Sequence, residues 1–259
     1  MQCYNTASMP SVYFFSYDTL LENGQPYPGA VDFIRFLVRN QLPFLILTDR
    51  SSLSCQRLAE KMYEVGFPLL SEEMIYTTLM ASIDAISNNY PDRRKVWYIG
   101  TDAVKEVLEM GGFEIDSSHP QWVFICTDRN ATYRQYGQVL RMILNGAVPV
   151  SVSDRLVDDT SKGYELGCGA LVSMLENASR REALTAGWSS PVLIKKACRY
   201  FEIDPKDVIF ISKNLDIEIA SANEAHVNTV FVMGDSGTDL SASKVKPTYV
   251  IETMRGLFR

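Results

Sequence analysis

Short apolar runs alternate with stretches of helical period along nearly the whole chain, and few folds satisfy that alternation. Near the start, VYFF (12–15) reads as a buried strand, and PGAVDFIRFLVRN places Ala30, Phe33, Ile34, Leu37 and Val38 on one helical face. PFLILT (43–48) is the next strand. DRSSLSCQRLAEKMYEVG then offers capping residues, an apolar face of Leu58, Met62 and Val65, and Gly66 as a stop. Strand and helix in turn is the order of a parallel sheet wrapped by helices.

The pattern returns in the last third. SSPVLIKKACRYF has Ser190 as a helix cap and Pro191 at the first helical position. DVIFIS is a strand, NLDIEIASANEA a helix, and NTVFVM and PTYVI are further strands. The middle alternates as well, with strands KVWYIG, QWVFIC and VPVSV and helices near 102–110, 132–145 and 168–177. A core built from both ends of the chain, 1–75 and 186–259, with a second α/β module inserted over 76–185, accounts for this order.

Composition narrows the partners. The chain has 259 residues and a net charge of −6 without a Lys/Arg block, which argues against nucleic acid or an anionic membrane as the main partner. A small anionic ligand in a local site stays open. Five cysteines lack CxxC spacing and the histidines are only His119 and His226, so free thiols in a reducing cytoplasm are expected in preference to a disulfide framework or a zinc site. MQCYNTASMP lacks the features of a signal peptide, and no apolar run has the length to span a bilayer. A cytoplasmic protein is expected.

In open parallel sheets the chemistry sits past the carboxyl ends of the strands. Here FFSYDTL follows the first strand, LILTDR the second and IFISKNLDIE a later one, while AGWSSP opens the helix before that strand. This order resembles the haloacid dehalogenase superfamily, subfamily IIA, the NagD-like or p-nitrophenylphosphatase-like branch. YPGAVDFIRFL is similar to the first helix of that branch, and IYTTLMASIDAI to the segment entering its cap. ILNGAVPVSVSDR is similar to its strand ending in Asn-Pro-Asp, and GYELGCGALVSMLE to its glycine-rich turn and helix. The resemblance covers nearly the whole chain. It implies an α/β fold, a Rossmann-like parallel-sheet core with a large inserted α/β cap of type C2, and a Mg²⁺-dependent phosphatase ancestry.

The catalytic positions depart from that pattern. The resemblance places an aspartate nucleophile where Ser16 stands, and an acid/base aspartate at Asp18. It places the phosphate-binding threonine at Thr48, followed by Asp49 in place of asparagine. Its lysine is replaced by Trp188, its Mg²⁺-binding aspartate by Lys213, and a later aspartate by Glu218. A serine hydroxyl needs a base before it attacks phosphorus, whereas a carboxylate does not. An ammonium about 4 Å from a divalent cation is repelled by about 8 kcal/mol at an effective dielectric of about 20. No cofactor is therefore expected, Mg²⁺ included. Losing a transition-state contact such as the lysine costs about a hundred- to a thousandfold in rate.

Each position also has a plainer reading. Asp18 is either a remnant acid or a turn residue at its strand end. Thr48 holds an anion or bonds to backbone. Lys213 pairs with Asp18 or Asp49, or swings into solvent. Trp188 stacks on an aromatic ligand or simply packs. Cys168 reads as a packed small residue. Asp154, Asp158 and Asp159 in SDRLVDDTSKG read as a solvated loop, and DSGTDL as loop chemistry.

Three functions compete. In the first, the fold is kept without catalysis to bind a ligand or partner, with Ser16, Thr48, Asp49 and Lys213 around a small metal-free anion pocket. The alternative is a divergent phosphatase for small phosphate esters or nucleotides. The third is a structural role, with a homodimer formed through the cap.

Overall fold

The computed structural model describes residues 12–160, 163–234 and 240–258. Its elements in chain order begin with β1 (Val12–Ser16), α1 (Tyr17–Leu20), β2 (Leu21–Glu22), β3 (Gln25–Pro26), α2 (Ala30–Arg39), β4 (Phe44–Thr48), α3 (Cys55–Glu64) and β5 (Ile75–Thr77). The middle holds α4 (Thr78–Asn89), β6 (Lys95–Ile99), α5 (Asp102–Met110), β7 (Glu114–Ile115), β8 (Trp122–Ile125), α6 (Tyr133–Leu144) and β9 (Val148–Ser151). Then come β10 (Val157–Thr160), β11 (Gly163–Leu166), α7 (Cys168–Ser179), β12 (Leu184–Thr185), α8 (Val192–Tyr200), β13 (Val208–Ser212), α9 (Ala220–Glu224), β14 (Asn228–Val232) and β15 (Tyr249–Ile251). Among the described residues, no helix is long and apolar enough to cross a membrane.

The chain forms two compact units. The first comprises residues up to Thr48, Cys55–Tyr76 and Ala197–Arg259; the second comprises Asp49–Ser54 and Thr77–Lys196. Where sequence placed the insert at 76–185, the second unit runs on to Lys196 and also takes in Asp49–Ser54. Two contacts hold these additions: Lys196 pairs with Asp84 at 2.8 Å, and Thr101 Oγ1 donates to the Ser52 carbonyl at 3.1 Å.

The first unit is built on a six-stranded sheet in the order β15-β14-β13-β1-β4-β5. β1 runs parallel to both β13 and β4. Every residue of β1, β4 and β13 is buried, as expected of a sheet covered on both faces. α2 buries Ala30, Phe33, Ile34 and Leu37, but Val38 is exposed, because the apolar stripe turns away from the core by that position. Gly29 opens α2 at φ +86, and a Cβ there would stand 3.0 Å from the Arg255 backbone nitrogen, so the position suits glycine twice over. The segment read as one helix over 214–225 is a π turn, Leu215–Ile219, leading into α9. Asn214 caps it by accepting from the Ile217 N–H at 3.1 Å.

The second unit has its own parallel sheet, β12-β9-β8-β6-β7. Its core gathers Trp122, Val123, Phe124 and Ile125 of β8 with Val104 and Leu108 of α5, Val139 and Ile143 of α6, and Val172 and Leu175 of α7. Burying each such side chain is worth about 1.5–3 kcal/mol. Thr132 and Gln135 close a capping box at the start of α6. The SDRLVDDTSKG segment is not a solvated loop: β10 and β11 form an antiparallel hairpin, with Asp158 and Asp159 on its first strand. Polar alternation without a long apolar run hid that strand from sequence.

Candidate functional site

Parallel pairing fixes which residues leave the first unit's sheet together. Ser16 ends β1 level with Leu47, so Thr48 follows one step beyond, and Ser212 ends β13 beside them. Ser16 and Thr48 are 1% and 2% exposed. Ser16 sits at the N-cap of α1 but its hydroxyl does not cap the helix, and half-buried Asp18 lies in that first turn. Thr19 Oγ1 accepts the Lys213 backbone N–H at 3.0 Å and ties the β13 exit to α1. Glu218 is buried and accepts from Ser212 Oγ at 2.5 Å.

Lys213 departs from the sequence expectation. Its ammonium pairs with Glu22 at 2.8 Å, in place of Asp18 or Asp49, and lies 5.0 Å from the Tyr27 ring. The cause is a hairpin: β2 and β3 turn back through Asn23 and Gly24, both at positive φ, and present Glu22 to the lysine. An Asn-Gly pair between two short extended runs signals such a turn, and it stands in the sequence as ENGQ.

In the second unit, Asp49 accepts from Ser153 Oγ at 2.6 Å and from Arg155 Nη2 at 3.1 Å. Its carboxylate is thus committed to organising a guanidinium. Asp154, read as a loop residue, accepts from Thr185 Oγ1 at 2.8 Å, the Ser189 N–H at 2.9 Å and Ser189 Oγ at 2.6 Å. A Cβ on Gly187 would stand 2.2 Å from that carboxylate, which is why the AGWSSP turn carries glycine there. Trp188 is buried at 5% exposure, so it packs and offers no open stacking platform. Cys168 is buried as well, its thiol donating to the Ile125 carbonyl at 3.1 Å, and burial pushes it up to about 12. DSGTDL lies outside the described residues except for Leu240.

Sequence reasoning missed Arg50, Arg129 and Arg155, which line one small cleft with Ser51, Thr127 and Ser153. The signal was present. A hydroxyl-aspartate-arginine triplet stands just past three strands: Thr48-Asp49-Arg50, Thr127-Asp128-Arg129 and Ser153-Asp154-Arg155. Among the described residues, no three His, Cys, Asp or Glu side chains converge as a metal site.

A parallel sheet with polar residues at its strand ends and a second α/β unit inserted in the chain defines a class, and comparison with known proteins agrees. The family model for haloacid dehalogenase-like hydrolases matches residues 14–114. The chain is 24% identical to 5'-nucleotidase YutF of Bacillus subtilis, covering 93% of this chain and 95% of that protein. It is also 24% identical to ribonucleotide monophosphatase NagD of Escherichia coli, covering 89% and 91%. Among solved structures, NagD from Escherichia coli aligns with a TM-score of 0.85 at 22% identity, over 95% of this chain and 98% of that one. A single mutant of thermostable NPPase from Geobacillus stearothermophilus aligns with a TM-score of 0.86 at 22% identity, over 95% and 97%. In sequence the chain is thus similar to haloacid dehalogenase-like phosphatases of the NagD kind, and it shares their fold.

Proposed function

We propose that this protein uses the phosphatase-like fold to bind a phosphate ester without the family's metal-dependent hydrolysis. The replacement at Lys213 carries the reading: a lysine, its ammonium paired with Glu22, stands at the sequence position where the family resemblance puts a Mg²⁺-binding aspartate. Mg²⁺, which the family usually uses, does not fit this donor set. It selects anionic oxygens, and Ser16 supplies a neutral hydroxyl while Lys213 supplies a like charge. Ser16 and Thr48, at neighbouring strand ends, offer two hydroxyls that suit a single phosphate or carboxylate.

The relatives favour a second reading. Those matched over 89% and 93% of the chain are a ribonucleotide monophosphatase and a 5'-nucleotidase, which suggests a divergent phosphatase for small phosphate esters or nucleotides. Asp18 is the carboxylate that would serve it. The decisive experiment is phosphate release from an aryl phosphate, with Mg²⁺ and with chelator, beside Asp18→Asn. We expect no turnover above the Asp18→Asn control. Metal-dependent turnover that the substitution abolishes would establish the phosphatase reading instead.

A further inference from the structure

Asn-Gly is the dipeptide most open to loss of a side-chain amide, because a glycine nitrogen, with no Cβ beside it, reaches the asparagine Cγ easily. The chain holds two such pairs, Asn23-Gly24 and Asn145-Gly146, and all four residues are exposed. Exposure therefore does not separate them. Backbone hydrogen bonding does.

Asn145-Gly146 closes α6. The Asn145 N–H donates to the Arg141 carbonyl at 3.0 Å, the Gly146 N–H to the Ile143 carbonyl at 3.0 Å and the Ala147 N–H to the Met142 carbonyl at 3.1 Å. Gly146 stands at φ +110, where glycine ends a helix readily. The nitrogen that would attack is thus already bonded, and freeing it means fraying the last turn of a 12-residue helix.

Asn23-Gly24 is the opposite case. Both residues have positive φ, 51 and 75, as a two-residue hairpin turn requires. The ladder pairs Glu22 with Gln25, and the Gly24 N–H has no hydrogen-bond partner among the described residues. A Cβ on Gly24 would meet nothing within 4 Å, so the turn stands clear of its surroundings. The strands of this hairpin are two residues each, and a two-stranded hairpin is marginal by itself. The turn reaches the conformation for attack at small cost.

We propose that Asn23 is a site of spontaneous deamidation whose isoaspartyl product releases Lys213 from Glu22. The Gly24 nitrogen gives up its proton and bonds to Asn23 Cγ. The bond from Cγ to the side-chain nitrogen breaks, and ammonia leaves with that proton, closing a succinimide. Water adds to either ring carbonyl and opens the ring to aspartate or isoaspartate. Isoaspartate routes the main chain through the former side chain and adds one methylene to a two-residue turn. The Glu22–Gln25 pairing cannot absorb it, so Glu22, directly before the altered residue, loses its 2.8 Å contact with Lys213 Nζ. This chemistry does not rest on the reading above.

The test is ageing of the purified full chain at pH 8, followed by peptide mapping and enzymatic methylation of isoaspartate. Asn23 should deamidate about tenfold faster than Asn145 or more, the factor set by one backbone hydrogen bond. In urea the two should react at similar rates. Equal rates in the native protein would overturn the proposal. So would a difference of the same size in urea, which would trace it to local sequence. The isoaspartyl fraction, separated by ion exchange, is then treated briefly with acetic anhydride beside fresh protein and fresh Glu22→Gln. Lys213 should label severalfold faster in that fraction than in fresh protein, as it should in Glu22→Gln. Labelling of Lys213 that Glu22→Gln speeds and deamidation leaves unchanged would overturn the release.

Discussion

At the strand ends of the first unit, the one cation singled out from sequence, Lys213, pairs with Glu22, whose side chain is 55% exposed. In the second unit, Arg155 pairs with Asp49, whose side chain is 5% exposed and which also holds Ser153. Both ion pairs stand at the ends of parallel strands. The first is wet and peripheral, while the second fixes a guanidinium on a cleft wall. The same chemistry is thus nearly idle in one unit and organising in the other, because burial sets how much a lost partner costs.

Substitutions break or sharpen that contrast. Arg155→Ala strands the Asp49 carboxylate and should cost about 2 kcal/mol, below the roughly 3–5 kcal/mol of a fully dry pair because Arg155 is part exposed. Urea denaturation measures it, and an unchanged midpoint would erase the distinction. Glu22→Gln in the first unit should cost less than about 1 kcal/mol, with a difference that fades as salt is added. A loss as large as that of Arg155→Ala would reverse the comparison.

The smallest expected effect concerns the thiols, which should behave alike in both units. Burial pushes Cys55 and Cys198 up to about 11 and Cys168 up to about 12, so thiolate is scarce at pH 8 and appears only as pH climbs toward those values. Brief iodoacetamide treatment of the native protein at pH 8, followed by peptide mapping, should leave all three unmodified. Rapid labelling of Cys168 alone would mark the second unit as locally open.

The positions of Ser16, Thr48 and Lys213 were legible because strand ends are. The apolar runs before Ser16, Thr48 and Lys213 fix their places to the residue, and parallel pairing then brings those positions to one edge. Lys213's partner was not legible. Glu22 reaches it through an Asn-Gly hairpin whose strands are two residues each, too short to show a period. The arginine cleft was hidden for a related reason: each triplet alone reads as an ordinary turn, and only the fold brings together Arg50, Arg129 and Arg155, which stand 26 to 105 positions apart.

Sequence by itself determined the order of the main buried strands and the helices between them, and the identity of the residues at those strand ends. These follow from hydrophobic periodicity, which is local and redundant over many positions. Tertiary structure alone decided which charges meet. It set Lys213 against Glu22, spent Asp49 on Arg155, and left Asp158 between two arginines beyond hydrogen-bond reach. The physical reason is reach: long flexible side chains choose partners over several ångströms, so small differences in loop path settle what no local pattern encodes.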